Sequence, residues 1–125
     1  LFFCLLQGKP YFGLPGNPVS SMMSFLQFVR PAIRKATDFP ADDLLLPTAR
    51  GVVENPLYNE GNRRNYLRAR LRFAEGRLYA STRAGQGSHM LTSMLGANGI
   101  VVLEAEQKVE PGDEVNLQII ERVFR

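Results

Sequence analysis

The residues best placed to do chemistry form one run, Gly13-Leu14-Pro15-Gly16-Asn17-Pro18-Val19-Ser20, between a short apolar segment and a longer one with helical spacing. A strand-to-helix junction of this kind leaves backbone N–H groups without intrahelical partners. Together with the partial positive charge of the helix end, they favour an anion. Asn17 is a good N-cap, and Pro18 suits the first helical position. Gly16 permits close backbone approach, and the prolines stiffen the loop. The same features also describe an ordinary capped helix start, so the run by itself leaves both readings open. It is not a Walker-type phosphate loop, because no Gly-Lys-Ser/Thr follows the glycine.

A second set of candidates is basic. Arg68, Arg70 and Arg72 alternate with Leu67, Ala69, Leu71 and Phe73. Period-two alternation predicts a half-buried antiparallel strand over Tyr66 to Phe73, with the arginines on the outer face. Neighbours two apart on a strand lie about 7 Å from each other, where repulsion in water is only about 0.6 kcal/mol, so a solvated basic face needs no ligand to be stable. Ser88 follows Gly85-Gln86-Gly87 and can cap a short helix carrying Leu91, Met94 and Leu95. His89 is the only histidine and Cys4 the only cysteine. No zinc-type spacing and no internal disulfide is available, and both residues read as structural.

Two stretches of different texture must position these residues. Leu1 to about Phe39 reads as strand, strand, helix. The terminal LFFCLL reads as a buried strand, too short to span a membrane and without the flanks of a signal peptide. Tyr11 to Leu14 is the second strand. The helix is expected from Pro18 to about Thr37, largely buried, with Val19, Met22, Met23, Leu26, Val29 and Ile33 at helical spacing. Pro31 should kink it near Gln27. The polar segment Asp38-Phe39-Pro40-Ala41-Asp42-Asp43 marks a boundary, giving pieces of 1–41 and 42–125. The second piece reads as short strands with turns: Tyr66 to Phe73, Leu78 to Thr82 after Glu75-Gly76, Ile100 to Glu104 after Asn98-Gly99, and Val115 to Ile120 after Pro111-Gly112-Asp113. Such a pattern suggests a small β-barrel or sandwich.

The run GKPYFGLPGNPVSS, followed by an apolar helix with an internal proline, resembles the last strand and helix of the molybdopterin-binding domain in MoeA-type molybdopterin molybdenumtransferases, the family that includes the C-terminal region of gephyrin. Further along, Arg68-Ala69-Arg70-Leu71, Gly85-Gln86-Gly87-Ser88-His89, Ala97-Asn98-Gly99-Ile100-Val101-Val102-Leu103 and Pro111-Gly112-Asp113-Glu114-Val115 are similar to the family's small C-terminal barrel domain. The resemblance implies an α/β fragment followed by an all-β barrel. It also implies insertion of molybdate into adenylylated molybdopterin with release of AMP, assisted by magnesium, in a homodimer; the single cysteine fits a reducing cytoplasm. Carried over residue by residue, it makes Pro15, Gly16, Asn17, Pro18, Ser20, Arg68 and Ser88 ligand contacts. No catalytic or metal-binding residue is expected within the chain. The acidic segment and the lysine-rich stretch that the family uses lie upstream, so these 125 residues alone are expected to be inactive.

Composition is globular, with 45% hydrophobic and 22% charged residues, which argues against disorder. The net charge of +3 admits anionic partners without requiring nucleic acid. Two rival functions arise. Arg63, Arg64, Arg68, Arg70, Arg72 and Arg77 gather around one hairpin with Tyr66 and Tyr79, a pattern that a barrel binding single-stranded nucleic acid could use. Alternatively, the barrel is a purely structural or dimerisation module.

Overall fold

The computed structural model describes residues 1–82 and 96–120. The chain divides into two compact units, Leu1–Leu46 and Pro47–Arg125, and each is described by itself. The described residues are mostly β-structure, with a closed five-stranded barrel, one long helical segment and a short 3-10 turn at Ala41–Asp43.

In the first unit, β1 (Phe2–Leu6) and β2 (Lys9–Gly13) pair antiparallel, with Cys4 opposite Tyr11. Gln7 and Gly8 both take positive φ, 53° and 77°, which is the two-residue turn whose twist matches a hairpin. The α/β character expected of this unit is not what its strands display: they form an isolated antiparallel hairpin. β1 is also not buried as the sequence predicts, because Phe2, Phe3, Leu5 and Leu6 are exposed. A two-stranded ribbon has two faces and nothing within the pair to cover them.

The helical segment starts and stops close to the predicted residues, but not as one regular helix. α1 (Pro18–Ser24) runs into a π-helical turn (Phe25–Val29), and α2 (Arg30–Ala36) continues from it. The cause is Pro31, which has no N–H to give to the Gln27 carbonyl and whose ring would press on it. A wider turn absorbs the mismatch, with the Arg30 N–H donating five residues back to the Phe25 carbonyl. The prediction of a largely buried helix is corrected here. Neither the π turn nor α2 contains a fully buried residue, and Met22, Phe25, Phe28 and Ile33 are exposed. The segment ends at Asp38, which takes φ 64° while the Phe39 N–H reaches back to the Arg34 carbonyl at 2.9 Å. No helix among the described residues is long and apolar enough to cross a membrane.

The barrel order is β3 (Thr48–Val53), β6 (Arg77–Ser81), β5 (Asn65–Ala74), β7 (Gly99–Leu103) and β9 (Glu114–Ile119), closed by β9 against β3. Among the described strands only β3 and β6 pair in parallel, at Val52–Tyr79 and Val53–Ala80. A small side sheet joins β4 (Leu57–Tyr58) to β8 (Lys108–Val109). Four barrel strands fall on predicted ones, while β3 and the side sheet went unread. β3 carries Gly51 in mid-strand, which weakens the pattern. The reason for that glycine is internal: a Cβ there would stand 2.5 Å from Leu117 Cδ1 and 2.9 Å from the Leu78 carbonyl oxygen. At Gly99 a Cβ would meet the Leu71 side chain in the same way. The two glycines make room for two core leucines.

β5 is shared lengthwise. Its first half, Asn65 to Ala69, pairs with β7, and its second half, Arg70 to Ala74, pairs with β6. Leu71 therefore lies just beyond the reach of β7. Asn98 fills the gap with its side chain, Oδ1 accepting the Leu71 N–H at 2.6 Å and Nδ2 donating to the Leu71 carbonyl at 2.9 Å. A side-chain amide thus stands in for one residue of strand. Leu71, Val101, Leu103, Val115, Leu117 and their neighbours fill the interior. Phe73, predicted to point inward with them, is exposed because it sits beside the Glu75-Gly76 turn, whose residues also take positive φ.

Candidate functional site

In the first unit the loop between β2 and α1 has the predicted capping geometry. Asn17 Oδ1 accepts the Ser20 N–H at 3.3 Å, and the Asn17 carbonyl accepts the Ser21 N–H at 2.8 Å. Ser21 Oγ donates to the Pro15 carbonyl at 2.7 Å, tying the loop to the first helical turn. The sequence did not single out that strut. Gly16 and Ser20 are exposed, and nothing stands within 4 Å of a Cβ built on Gly16. The loop is preorganised by its own hydrogen bonds and open at its tip.

In the second unit, strand register sorts the outer wall of the barrel into rows. One row runs Arg68, Ile100, Gln118, Thr48, and the next runs Tyr66, Val102, Asn116, Arg50. These are the positions opposite the core, yet Ile100 is 0% exposed and Arg68 only 5%. β7 is buried along both faces. Arg70 and Arg72 lie on the solvated outer face expected of them, whereas Arg68, for which a solvated face and a ligand contact are both open in the sequence, is buried, and that burial pushes its guanidinium below its ordinary pKa. Guanidinium groups remain charged throughout the accessible pH range, so a cation is held here in a largely dry position. Strand alternation gave its face correctly; it cannot tell whether an outer face is covered.

The remaining arginines are largely matched to acids. Arg64 bonds Glu104 at 3.0 Å, Arg77 bonds Glu114 at 3.1 Å, and Arg72 pairs with Glu54 while its guanidinium lies 4.6 Å from the Tyr79 ring centre. Arg70 donates to the Gly96 carbonyl at 3.0 Å. A basic stripe for nucleic acid is therefore much weaker in space than in sequence. Along the second row, next to the buried Arg68 and Ile100, lies a groove of about 410 Å³, lined among others by Arg50, Arg64, Tyr66, Val102, Glu104 and Asn116. Arg50 and Asn116 were not predicted as site residues, and only the cross-strand register brings them together. Ser88 and His89 lie outside the described residues, as does the short helix predicted after them.

A sequence model of the family described as MoeA C-terminal region (domain IV) matches residues 50–120, more than half the chain. The chain belongs to this family. Among curated relatives, it is 34% identical over 109 residues to the molybdenum cofactor synthesis protein cinnamon of Drosophila melanogaster, covering 87% of this chain and 18% of that protein. It is 33% identical over 112 residues to molybdopterin molybdenumtransferase 2 of Mycobacterium tuberculosis, covering 90% of this chain and 26% of that one. A solved structure of a molybdopterin biosynthesis MoeA protein from Pyrococcus horikoshii superposes with a TM-score of 0.73 at 26% identity, over 96% of this chain and 28% of that one. The chain thus spans about a fifth to a quarter of the length of the relatives it matches. Membership in the MoeA domain IV family covers β3 to β9, and the structural likeness extends over the first unit as well.

Proposed function

We propose that this chain forms the C-terminal part of a molybdopterin molybdenumtransferase, which inserts molybdate into adenylylated molybdopterin and releases AMP. The observation that carries the reading is the family match over the barrel, joined to relatives that bear that enzyme's name along most of this chain. On this reading the first unit completes an α/β molybdopterin-binding domain. Its exposed hairpin and helix face are the surfaces such a sheet would cover.

Within the chain we assign substrate contact to Pro15, Gly16, Asn17, Pro18 and Ser20 on the loop, and to Arg68 and Ser88 on the barrel. The chemistry suits the substrates. Molybdate and pyrophosphate are compact oxyanions; a capped helix start offers backbone donors, and an arginine fork offers two parallel ones. The partly desolvated Arg68 is the stronger donor for it, since charge interactions gain strength where water is excluded. On this reading magnesium is held by the acidic segment upstream; among the described residues no three His, Cys, Asp or Glu side chains converge, and no metal-dependent step is assigned to them. The working protein on this reading is a cytoplasmic homodimer in which the barrel of one subunit faces the site of the other.

The test is a hybrid enzyme. The matching C-terminal segment of the Mycobacterium tuberculosis relative is replaced by this chain, and molybdate-dependent AMP release is followed. The hybrid is expected to turn over within about tenfold of the parent, whereas the parent cut short before the segment loses about a hundredfold or more, the scale of a misplaced reacting group. A folded hybrid no better than the truncated parent would overturn the proposal.

A further inference from the structure

We infer that the groove on the outer wall of the barrel is a binding site for a small aromatic oxyanion, a flat ring carrying a carboxylate or a phosphate. This site is independent of the transferase assignment and uses none of the residues given to it. The groove's volume of about 410 Å³ lies in the range of about 300–1,000 Å³ typical of small-molecule sites. Its central row, Tyr66–Val102–Asn116–Arg50, crosses four adjacent strands, a span of about 14 Å at the usual strand spacing.

The two ends of that row differ in charge. At the Tyr66 end, Arg64 is closed off by Glu104 at 3.0 Å, so the end is electrically neutral and offers an aromatic side chain. At the other end, Glu114 is divided between two arginines. It bonds Arg77 at 3.1 Å and stands only 3.9 Å from Arg50. One carboxylate facing two guanidinium groups leaves a net positive charge, and Arg50 is the less satisfied of the two. Arg50 donates through Nη1 to Asn116 Oδ1 at 2.9 Å, which fixes the fork at the groove wall. Between the ends the floor is Val102, apolar and nearly buried. A ligand matching this order has its ring against Tyr66 and Val102 and its oxyanion on Arg50, where a fork takes two oxygens.

The experiment titrates the 125-residue chain with phenyl phosphate, benzoate and inorganic phosphate, reading amide chemical shifts by NMR. At least one aryl probe is expected to shift Thr48, Arg50, Tyr66 and Asn116 and to bind about fivefold or more tighter than inorganic phosphate, the share a ring contact supplies. Which aryl probe binds more tightly identifies the oxyanion. Arg50→Gln is expected to weaken aryl binding about tenfold, as loss of a charged hydrogen bond does. Glu114→Gln, which frees Arg50, is expected to strengthen it severalfold, an effect that general damage to the barrel would not produce. Absence of these shifts at millimolar probe, equal affinity for inorganic phosphate, or indifference to Arg50→Gln would each overturn the inference.

Discussion

Asn98→Ala is expected to destabilise the barrel by about 2–5 kcal/mol, because two buried backbone groups lose their partners at about 1–3 kcal/mol each. The Leu71 N–H and carbonyl both bond the Asn98 side chain, which is 4% exposed. Water cannot replace it without opening the seam between β5 and β7. The loss falls where β5 passes from one partner strand to the other, so neighbouring ladder bonds give no compensation. Urea unfolding followed by circular dichroism measures it, and for a domain this size the same loss lowers Tm by about 10–20 °C or more. A loss below about 1 kcal/mol would mean that the amide is not a substitute for strand.

The second large effect concerns activity. In the hybrid enzyme, Arg68→Ala is expected to lower kcat/KM for molybdate about a hundredfold, the scale seen when one donor to a developing or bound oxyanion is removed. Arg68→Lys keeps the charge but loses the fork, and is expected to recover only part of the rate. Because Arg68 is buried, the unfolding midpoint must be followed alongside. A hundredfold loss with an unchanged midpoint supports the contact. Full activity in a stably folded Arg68→Ala hybrid would remove Arg68 from the site.

The sequence carried the barrel well where alternation was clean. Leu67, Ala69 and Leu71 repeat with period two, and β5 follows. The Glu75-Gly76 and Pro111-Gly112-Asp113 turns bound β6 and β9 closely. It carried β3 poorly, since Gly51 answers to Leu117 and the Leu78 carbonyl across the barrel, a tertiary demand with no local signature. Asn98 reads as a turn residue beside Gly99, and its use as a piece of strand depends on where β7 falls short of Leu71. The helix limits and its disturbance at Pro31 were legible because proline chemistry is local. Burial of that helix was not, because an apolar stripe reports what a segment seeks to cover and not what covers it.

The site shows the same division. Capping of the helix by Asn17 follows from residue type and position, and the geometry agrees. The dry setting of Arg68 does not follow from alternation, which assigns a face and no cover. Arg50 and Asn116 are 66 residues apart, and only the β3–β9 register makes them neighbours.

The central claim is that these 125 residues work as the C-terminal part of a longer transferase polypeptide. The most direct test is the intact mass of the protein carrying this sequence in its own cells, read by mass spectrometry. The account predicts a mass several-fold above 14.0 kDa, with this sequence at the C-terminus, in keeping with relatives of which the chain spans about a quarter. A mature protein of 14.0 kDa would contradict it and leave the barrel as a binding or scaffolding module in its own right.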